Sequence, residues 1–155
     1  MNSPTQRKGY QAELWVVEQL RQRGHKTRLP DFFTPNCDII VAGLPIEVKF
    51  AHPTRRANRT QVRWQFRVHP TAQQMTGEWA AVLVAQDEAM VRYAYIVPGS
   101  MFKDRTWAQI TSHPTVYRGW LAKFLNRWDV IEYLSQETYR HQGPLLNQWA
   151  GSVAA

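Results

Sequence analysis

The sequence predicts an α/β domain in which helices flank a mixed β-sheet. Three observations support this fold class: an amphipathic helical period near the N-terminus, short apolar or alternating segments between residues 37 and 111, and a second helical period in the last third. The chain has 155 residues, 44% of them hydrophobic, which is enough for one packed core. We therefore expect a single domain over residues 1–150 and a flexible tail at 151–155.

The first predicted element is a helix over residues 6–23, followed by a glycine that is typical of a C-cap. Its apolar stripe runs through Leu14, Val17 and Leu20 and should face the core. Glu13 borders this inward stripe, and a carboxylate in that position requires a partner elsewhere in the fold.

Two strand candidates follow a loop rich in proline, at residues 37–41 and 45–50, and a short turn joins them. Alternation in the second strand places Glu47 and Lys49 on one face. If the strands pair antiparallel, Asp38 at the start of the first lies near the end of the second. Two carboxylates and one ammonium group then meet at one point.

The rest of the chain is predicted to continue the sheet and then to return to helix. Residues 61–68 alternate strictly, with Trp64 and Phe66 on the inward face, and further strands are expected at 80–85, 91–97 and 107–111. From Pro114 onward, large apolar side chains, most of them aromatic, recur every four residues, which predicts a long C-terminal helix. This stripe indicates core packing or a subunit contact, and consists of Val116, Trp120, Phe124 and Trp128.

The composition excludes several classes of protein. No apolar stretch approaches the ~20 residues needed to span a bilayer, and the N-terminal segment MNSPTQRKGY lacks the apolar centre of a secretory signal. The single cysteine, Cys37, excludes an internal disulfide framework and a multi-cysteine zinc site. We therefore expect a soluble, cytoplasmic protein with no membrane partner.

The charge of the chain favours a polyanionic partner. Nineteen Lys and Arg against twelve Asp and Glu give a net charge of +7, and nucleic acid is the commonest partner of such a small basic domain. Five arginines fall within thirteen residues that contain no acidic residue, a pattern suited to a phosphate backbone, although a solvated basic loop would look the same. These arginines are Arg55, Arg56, Arg59, Arg63 and Arg67.

The charged residues of the hairpin allow two interpretations. A Glu-x-Lys pair on a strand is most often an ion pair or part of a solvated face. Alternatively, Asp38 and Glu47 offer Mg²⁺ two oxygen ligands, and water and substrate phosphate complete its coordination. Such an ion acidifies bound water and neutralises charge on the phosphate, while a cation such as Lys49 orients the nucleophile. Phosphodiester hydrolysis needs this set of groups.

The pattern as a whole resembles the PD-(D/E)XK nuclease superfamily. It comprises Glu13 in a first helix, Asp38 at the opening of an apolar strand, and the segment IEVK on the next strand, within roughly residues 9–68. The resemblance implies a restriction-endonuclease-like core and a metal-dependent DNA endonuclease. Its cofactor would be Mg²⁺, for which Mn²⁺ can substitute.

The resemblance also implies a role for each residue. Asp38 and Glu47 are expected to bind the metal ion, Lys49 to assist the attacking water, and Glu13 to complete the metal shell. Gln65 matches a glutamine that many members carry in the catalytic site on a neighbouring strand.

One feature departs from the family pattern. The residue before Asp38 is Cys37, whereas a literal Pro30-Asp31 stands seven residues earlier and makes Asp31 the alternative ligand. We favour Asp38, because it opens an apolar strand beside IEVK, whereas Asp31 lies in a segment typical of a loop.

The leading hypothesis is a Mg²⁺-dependent DNA endonuclease, structure-selective or sequence-specific, that acts on double-stranded or branched DNA. Because one such site cuts one strand, we expect a homodimer or a higher homo-oligomer. A Holliday junction resolvase of the same fold, and a non-catalytic DNA-binding or assembly protein that retains the fold, are the alternatives. The sequence does not distinguish DNA from RNA as the substrate.

Overall fold

A mixed β-sheet lies at the centre of the protein in the computed structural model, with helices on one face and a smaller sheet on the other. The structure describes residues 3–30, 36–55, 57, 60–69, 72 and 75–140. The tail expected at 151–155 lies outside them. The main elements within the described residues are, in chain order, α1 (Pro4–Gln22), β1 (Thr27–Arg28), β2 (Ile39–Val41), β3 (Leu44–Ala51), β4 (Thr54–Arg55), β5 (Val62–Arg67), β6 (Ala80–Gln86), β7 (Arg92–Pro98), β8 (Trp107–Ile110) and α2 (Asp129–Arg140).

The main sheet has the strand order β1–β2–β3–β6–β7. β2 and β3 form a tight antiparallel hairpin, whose turn residues Ala42 and Gly43 have left-handed φ angles of 48° and 80°. β3 pairs parallel with β6, and β6 pairs antiparallel with β7. The predicted fold class, an α/β domain with a mixed sheet flanked by helices, is therefore confirmed.

A smaller antiparallel sheet, of order β4–β5–β8, covers one face of the main sheet. As the alternation predicts, Trp64 and Phe66 of β5 are buried, and they pack with Leu83 of β6 in one core cluster. A second cluster lies between the opposite face of the main sheet and the two helices. The site residues of β3 therefore belong to a strand that is covered on both faces.

Helix α1 begins at a capping box in which the Gln6 amide donates to Ser3 Oγ and the Ser3 amide donates to Gln6 Oε1. This cap starts the helix two residues before the predicted position. Its buried face consists of Ala12, Val16 and Leu20. The prediction that Leu14 faces the core is wrong, because this residue lies about 200° around the helix from Ala12 and is 51% exposed.

The predicted long C-terminal helix is also wrong in its extent. Residues 113–128 form turns and a short 3₁₀ segment, Ala122–Phe124, and α2 begins only at Asp129. Val116 is 61% exposed whereas Trp128 is buried, so the aromatic stripe does not lie on one helical face.

Pairing with β7 replaces the helix in this segment. Leu125 forms a β-bridge with Tyr95, and the Asn126 amide donates a 2.8 Å hydrogen bond to the carbonyl of Ala94. Asn126 has a φ of 56°, which a continuous helix cannot contain. The chain thereby covers the outer edge of β7, which would otherwise expose unpaired backbone groups. No helix among the described residues has the length and apolar character needed to cross a membrane.

Candidate active site

The β2–β3 hairpin holds Asp38 against the middle of β3. The Asp38 amide donates to the Ile46 carbonyl at 2.8 Å, and Asp38 Oδ2 accepts a 2.8 Å hydrogen bond from the Val48 amide. Val48 stands between Glu47 and Lys49, so the three charged residues meet as the hairpin pattern predicts. The contact lies at mid-strand rather than at the strand end, because the two-residue turn places Ile39 opposite Ile46.

Glu47 is a buried carboxylate that is only partly satisfied. Its side chain is only 5% exposed to solvent, and Lys49 Nζ lies 2.5 Å from its Oε1. Its second oxygen, Oε2, is buried and has no hydrogen-bond partner among the described residues. A buried carboxylate oxygen without a partner destabilises the fold, so a cation at this position would satisfy it.

The environment of Glu47 raises the pKa of its carboxyl group. Burial is the main cause, because it removes the charged form from water, and the negative charge of Asp38 adds to the effect. The hydrogen bond and the positive charge of Lys49 act in the opposite direction, as does His69. Nearby cations, rather than solvent, are therefore what favours the charged form of this carboxyl group.

Glu13 on α1 lies beside Asp38. Burial, the charge of Asp38 and a hydrogen bond between the two carboxyl groups raise the pKa of Glu13 to about 7, and Lys49 partly opposes the rise. The inward position predicted for Glu13 is consistent with its half-buried side chain. Asp38 is a carboxylate that interacts with both glutamates, Glu13 from the helix and Glu47 from the strand.

The donor set fits a Mg²⁺ ion that retains water. Among the described residues, no three His, Cys, Asp or Glu side chains are grouped closely enough to hold a metal ion on their own. Mg²⁺ does not require such a cage, since one or two carboxylates suffice when water and phosphate oxygens supply the other ligands. Asp38 and Glu47 are the two carboxylates of the hairpin, and the unpartnered Glu47 Oε2 is an atom that such an ion would bind.

Gln65 lies on the smaller sheet rather than on the hairpin. Its side chain is exposed, and its Nε2 donates a 3.1 Å hydrogen bond to Gln109 Oε1 on β8. Arg63 and Arg67 share this outward face of β5, as the alternation predicts. Arg55 on β4 forms an ion pair with Glu88 at 3.1 Å, in which both side chains are exposed.

Several residues of the sequence hypothesis fall outside the described part of the chain. Arg56 and Arg59 of the basic segment do so, and so does Asp31, the alternative metal ligand. The choice of Asp38 over Asp31 as the metal ligand therefore rests on the contacts of Asp38 alone.

His69 is a site residue that the sequence interpretation did not identify. It follows the end of β5, is exposed, and lies close enough to Glu47 to favour the ionised carboxylate. No local motif indicates this approach, since it depends on how β5 of the smaller sheet packs against β3 of the main sheet. Only the packing of the two sheets could have predicted it.

A cavity of about 590 Å³ is lined by Arg55 of the basic segment but not by Asp38, Glu47 or Glu13. It is lined in part by Trp64, Asp87 and His113, and His113 Nε2 lies 3.2 Å from Asp87 Oδ2. Backbone hydrogen bonds and His113 lower the pKa of Asp87, which ties the β6–β7 turn to the segment after β8. We interpret this pair as structural, because it joins two loops and has no contact with Asp38 or Glu47.

Neither a protein-family model nor a curated protein sequence matches the chain. Among solved structures, it is similar to a bacterial homing endonuclease, I-Ssp6803I, with a TM-score of 0.64 and 16% sequence identity. The match covers 88% of this chain and 97% of the other. The chain therefore has the fold of a bacterial homing endonuclease over most of its length.

Proposed function

We propose that the protein is a Mg²⁺-dependent DNA endonuclease of the PD-(D/E)XK type. The observation that carries the proposal is the arrangement on the hairpin. Asp38 is fixed by the Val48 amide, and Glu47 is buried beside Lys49 with one oxygen unpartnered. An ordinary solvated ion pair does not require burial of the carboxylate. The fold shared with a homing endonuclease supports the same reading.

In this proposal, Asp38 and Glu47 bind the metal ion. Glu13 positions Asp38 through the hydrogen bond between their carboxyl groups. A bound Mg²⁺ ion lowers the pKa of water and offsets negative charge on the phosphate. The Lys49 ammonium lies at the carboxylate and is about one-third exposed, so it can reach both Glu47 and an incoming water molecule. Lys49 orients that water and assists its deprotonation as it attacks phosphorus.

DNA is the proposed substrate because the protein carries a net positive charge. The net charge of +7 and the basic outward face of β5 favour a phosphate backbone near the site. One site of this kind cleaves one strand, so a double-strand cut requires two copies of the chain. We therefore propose a homodimer or a higher homo-oligomer.

The test is cleavage of a supercoiled plasmid and of a four-way junction, in Mg²⁺ and in EDTA. We expect cutting in Mg²⁺ only, and Lys49→Ala should reduce the rate by roughly 10²–10⁴-fold, the usual contribution of general acid–base catalysis. Binding of DNA should persist in this variant. Lys103→Ala serves as the matched control, because Lys103 is exposed and far along the chain from the hairpin.

Three outcomes would contradict parts of the proposal. Cutting that survives Asp38→Ala and Glu47→Ala would overturn the site. Binding without cutting in both Mg²⁺ and Mn²⁺, on DNA that contains the sequence the protein prefers, would indicate a non-catalytic DNA-binding protein. Cutting of the junction but not of the plasmid would identify a junction resolvase.

A further inference from the structure

Strands β5 and β8 form an antiparallel ribbon with two different faces. The inward face is buried in a core cluster and consists of Trp64, Phe66, Ala108 and Ile110. On the outward face, Gln65 stands directly opposite Gln109, and Arg67 stands directly opposite Trp107. The core therefore fixes which side chains the ribbon presents.

The outward side chains are ordered by contacts with one another. Gln65 and Gln109 share a 3.1 Å hydrogen bond across the strands. The Arg67 guanidinium lies over the Trp107 ring, 5.6 Å from its centre, although Trp107 is 54% exposed. These pairs hold polar groups in a set direction, which reduces the entropy lost on binding.

The same face has donors and positive charge but no carboxylate. Neither β5 nor β8 contains an acidic residue. Arg63 lies on the same side of β5 and is partly exposed. A partner that supplies acceptor oxygens and negative charge is complementary to such a surface.

We propose that the β5–β8 ribbon enters the major groove of duplex DNA and that Gln65 and Gln109 contact base edges there. This inference rests on the proposed endonuclease function and names its DNA-reading element. The major groove is ~12 Å wide and admits a two-stranded ribbon, whose strands lie ~5 Å apart. A glutamine amide matches the N6 and N7 atoms of adenine.

The arginines on this face have a different role. Arg63 and Arg67 flank Gln65 on β5 and contact phosphates or guanine edges beside it. Trp107 keeps the Arg67 guanidinium aligned with the strand through the contact between its ring and the cation. Gln65 thus serves base recognition in this proposal and is not part of the metal site.

Two other partners fit the face less well. Two copies of the ribbon would bring arginines together without a carboxylate to offset them, which disfavours a self-contact. Duplex RNA has a deep, narrow major groove that side chains cannot read, so the proposal commits to DNA.

The test is a binding selection from a library of randomised duplex DNA, performed in EDTA so that no cleavage is required. Wild-type protein should enrich a defined sequence, and the double variant Gln65→Ala/Gln109→Ala should lose preference at one or two positions by roughly tenfold each. The matched control is Gln136→Ala, an exposed glutamine of α2. It should enrich the wild-type sequence.

Arg67→Ala provides a second readout. Loss of a phosphate contact should weaken binding to all sequences and reduce the slope of log affinity against log salt by about one. Unchanged melting temperatures and gel-filtration profiles would show that the variants retain the fold and the assembly.

The proposal is overturned if the double variant enriches the wild-type sequence, or if wild-type protein binds duplex DNA without enriching any sequence. Failure of wild-type protein to bind duplex DNA would also overturn the proposal. If the double variant loses its assembly but keeps the sequence preference, the face is a subunit contact instead. Failure of the nuclease proposal is distinguishable. A protein that selects a sequence in EDTA but never cuts in Mg²⁺ retains the ribbon's role and loses the catalytic one.

Discussion

Glu13→Gln should make the metal-free protein less sensitive to alkaline pH. The folded protein raises the pKa of Glu13 from 4.5 to about 7, mainly through burial and then through Asp38. The folded state therefore binds the Glu13 proton more tightly than the unfolded chain. Its contribution to stability is complete below about pH 4.5 and is lost as the pH rises through about 7. Glutamine has no proton to lose, so the variant should not show this decline.

The size of the effect follows from the shift. A pKa change from 4.5 to about 7, at 1.36 kcal/mol per unit, sets an upper limit of about 3.4 kcal/mol. Glu13 is only half-buried, so screening by solvent reduces the expected effect to about 1 kcal/mol. Because Glu13 and Asp38 interact, the titration belongs to the pair rather than to one residue.

The assay is urea denaturation in EDTA at pH 5 and at pH 8. The free energy of unfolding of wild-type protein should fall between these pH values by about 1 kcal/mol more than that of Glu13→Gln. Glu18→Gln is the control, because Glu18 is exposed on the same helix. An equal pH dependence in wild-type protein and Glu13→Gln would refute the raised pKa of Glu13 in the folded protein.

Two further predictions concern metal binding and the corrected face of α1. Mg²⁺ at 100 times its dissociation constant should stabilise wild-type protein by ~2.7 kcal/mol, whereas Glu47→Gln should abolish this gain. A gain that is unchanged in Glu47→Gln would place the ion elsewhere. Leu20→Ala should lower the free energy of unfolding by about 2–5 kcal/mol because Leu20 is fully buried. Leu14→Ala should change it by less than about 0.5 kcal/mol, and denaturation that shows equal losses in both variants would contradict the observed face.

Local patterns were sufficient to predict the hairpin and its charged residues. Alternation predicts the faces of β3 and β5, and an antiparallel hairpin brings Asp38 to the strand that carries Glu47 and Lys49. The two-residue turn places it at mid-strand rather than at the strand end. The site could therefore be inferred from residues that are close in sequence. Glu13 could be inferred only because a carboxylate next to a buried helical face requires a partner.

Features that depend on distant pairing could not be predicted from the sequence. The four-residue period after Pro114 is a sound helical signal, but the bridge between Leu125 and Tyr95 prevails over it. Leu14 and Val16 are equally apolar, and only packing against the sheet determines which of them is buried. His69 reaches Glu47 through the packing of the smaller sheet against the main sheet, for which the sequence contains no local signal.

The central claim is that the buried Glu47 carboxylate supports metal-dependent cleavage of DNA. The most direct test is the rate at which supercoiled plasmid is nicked in Mg²⁺ by wild-type protein and by Glu47→Gln. We predict cleavage by wild-type protein in Mg²⁺, none in EDTA, and a rate at least ~100-fold lower in the variant. Cleavage by Glu47→Gln at the wild-type rate would contradict the claim.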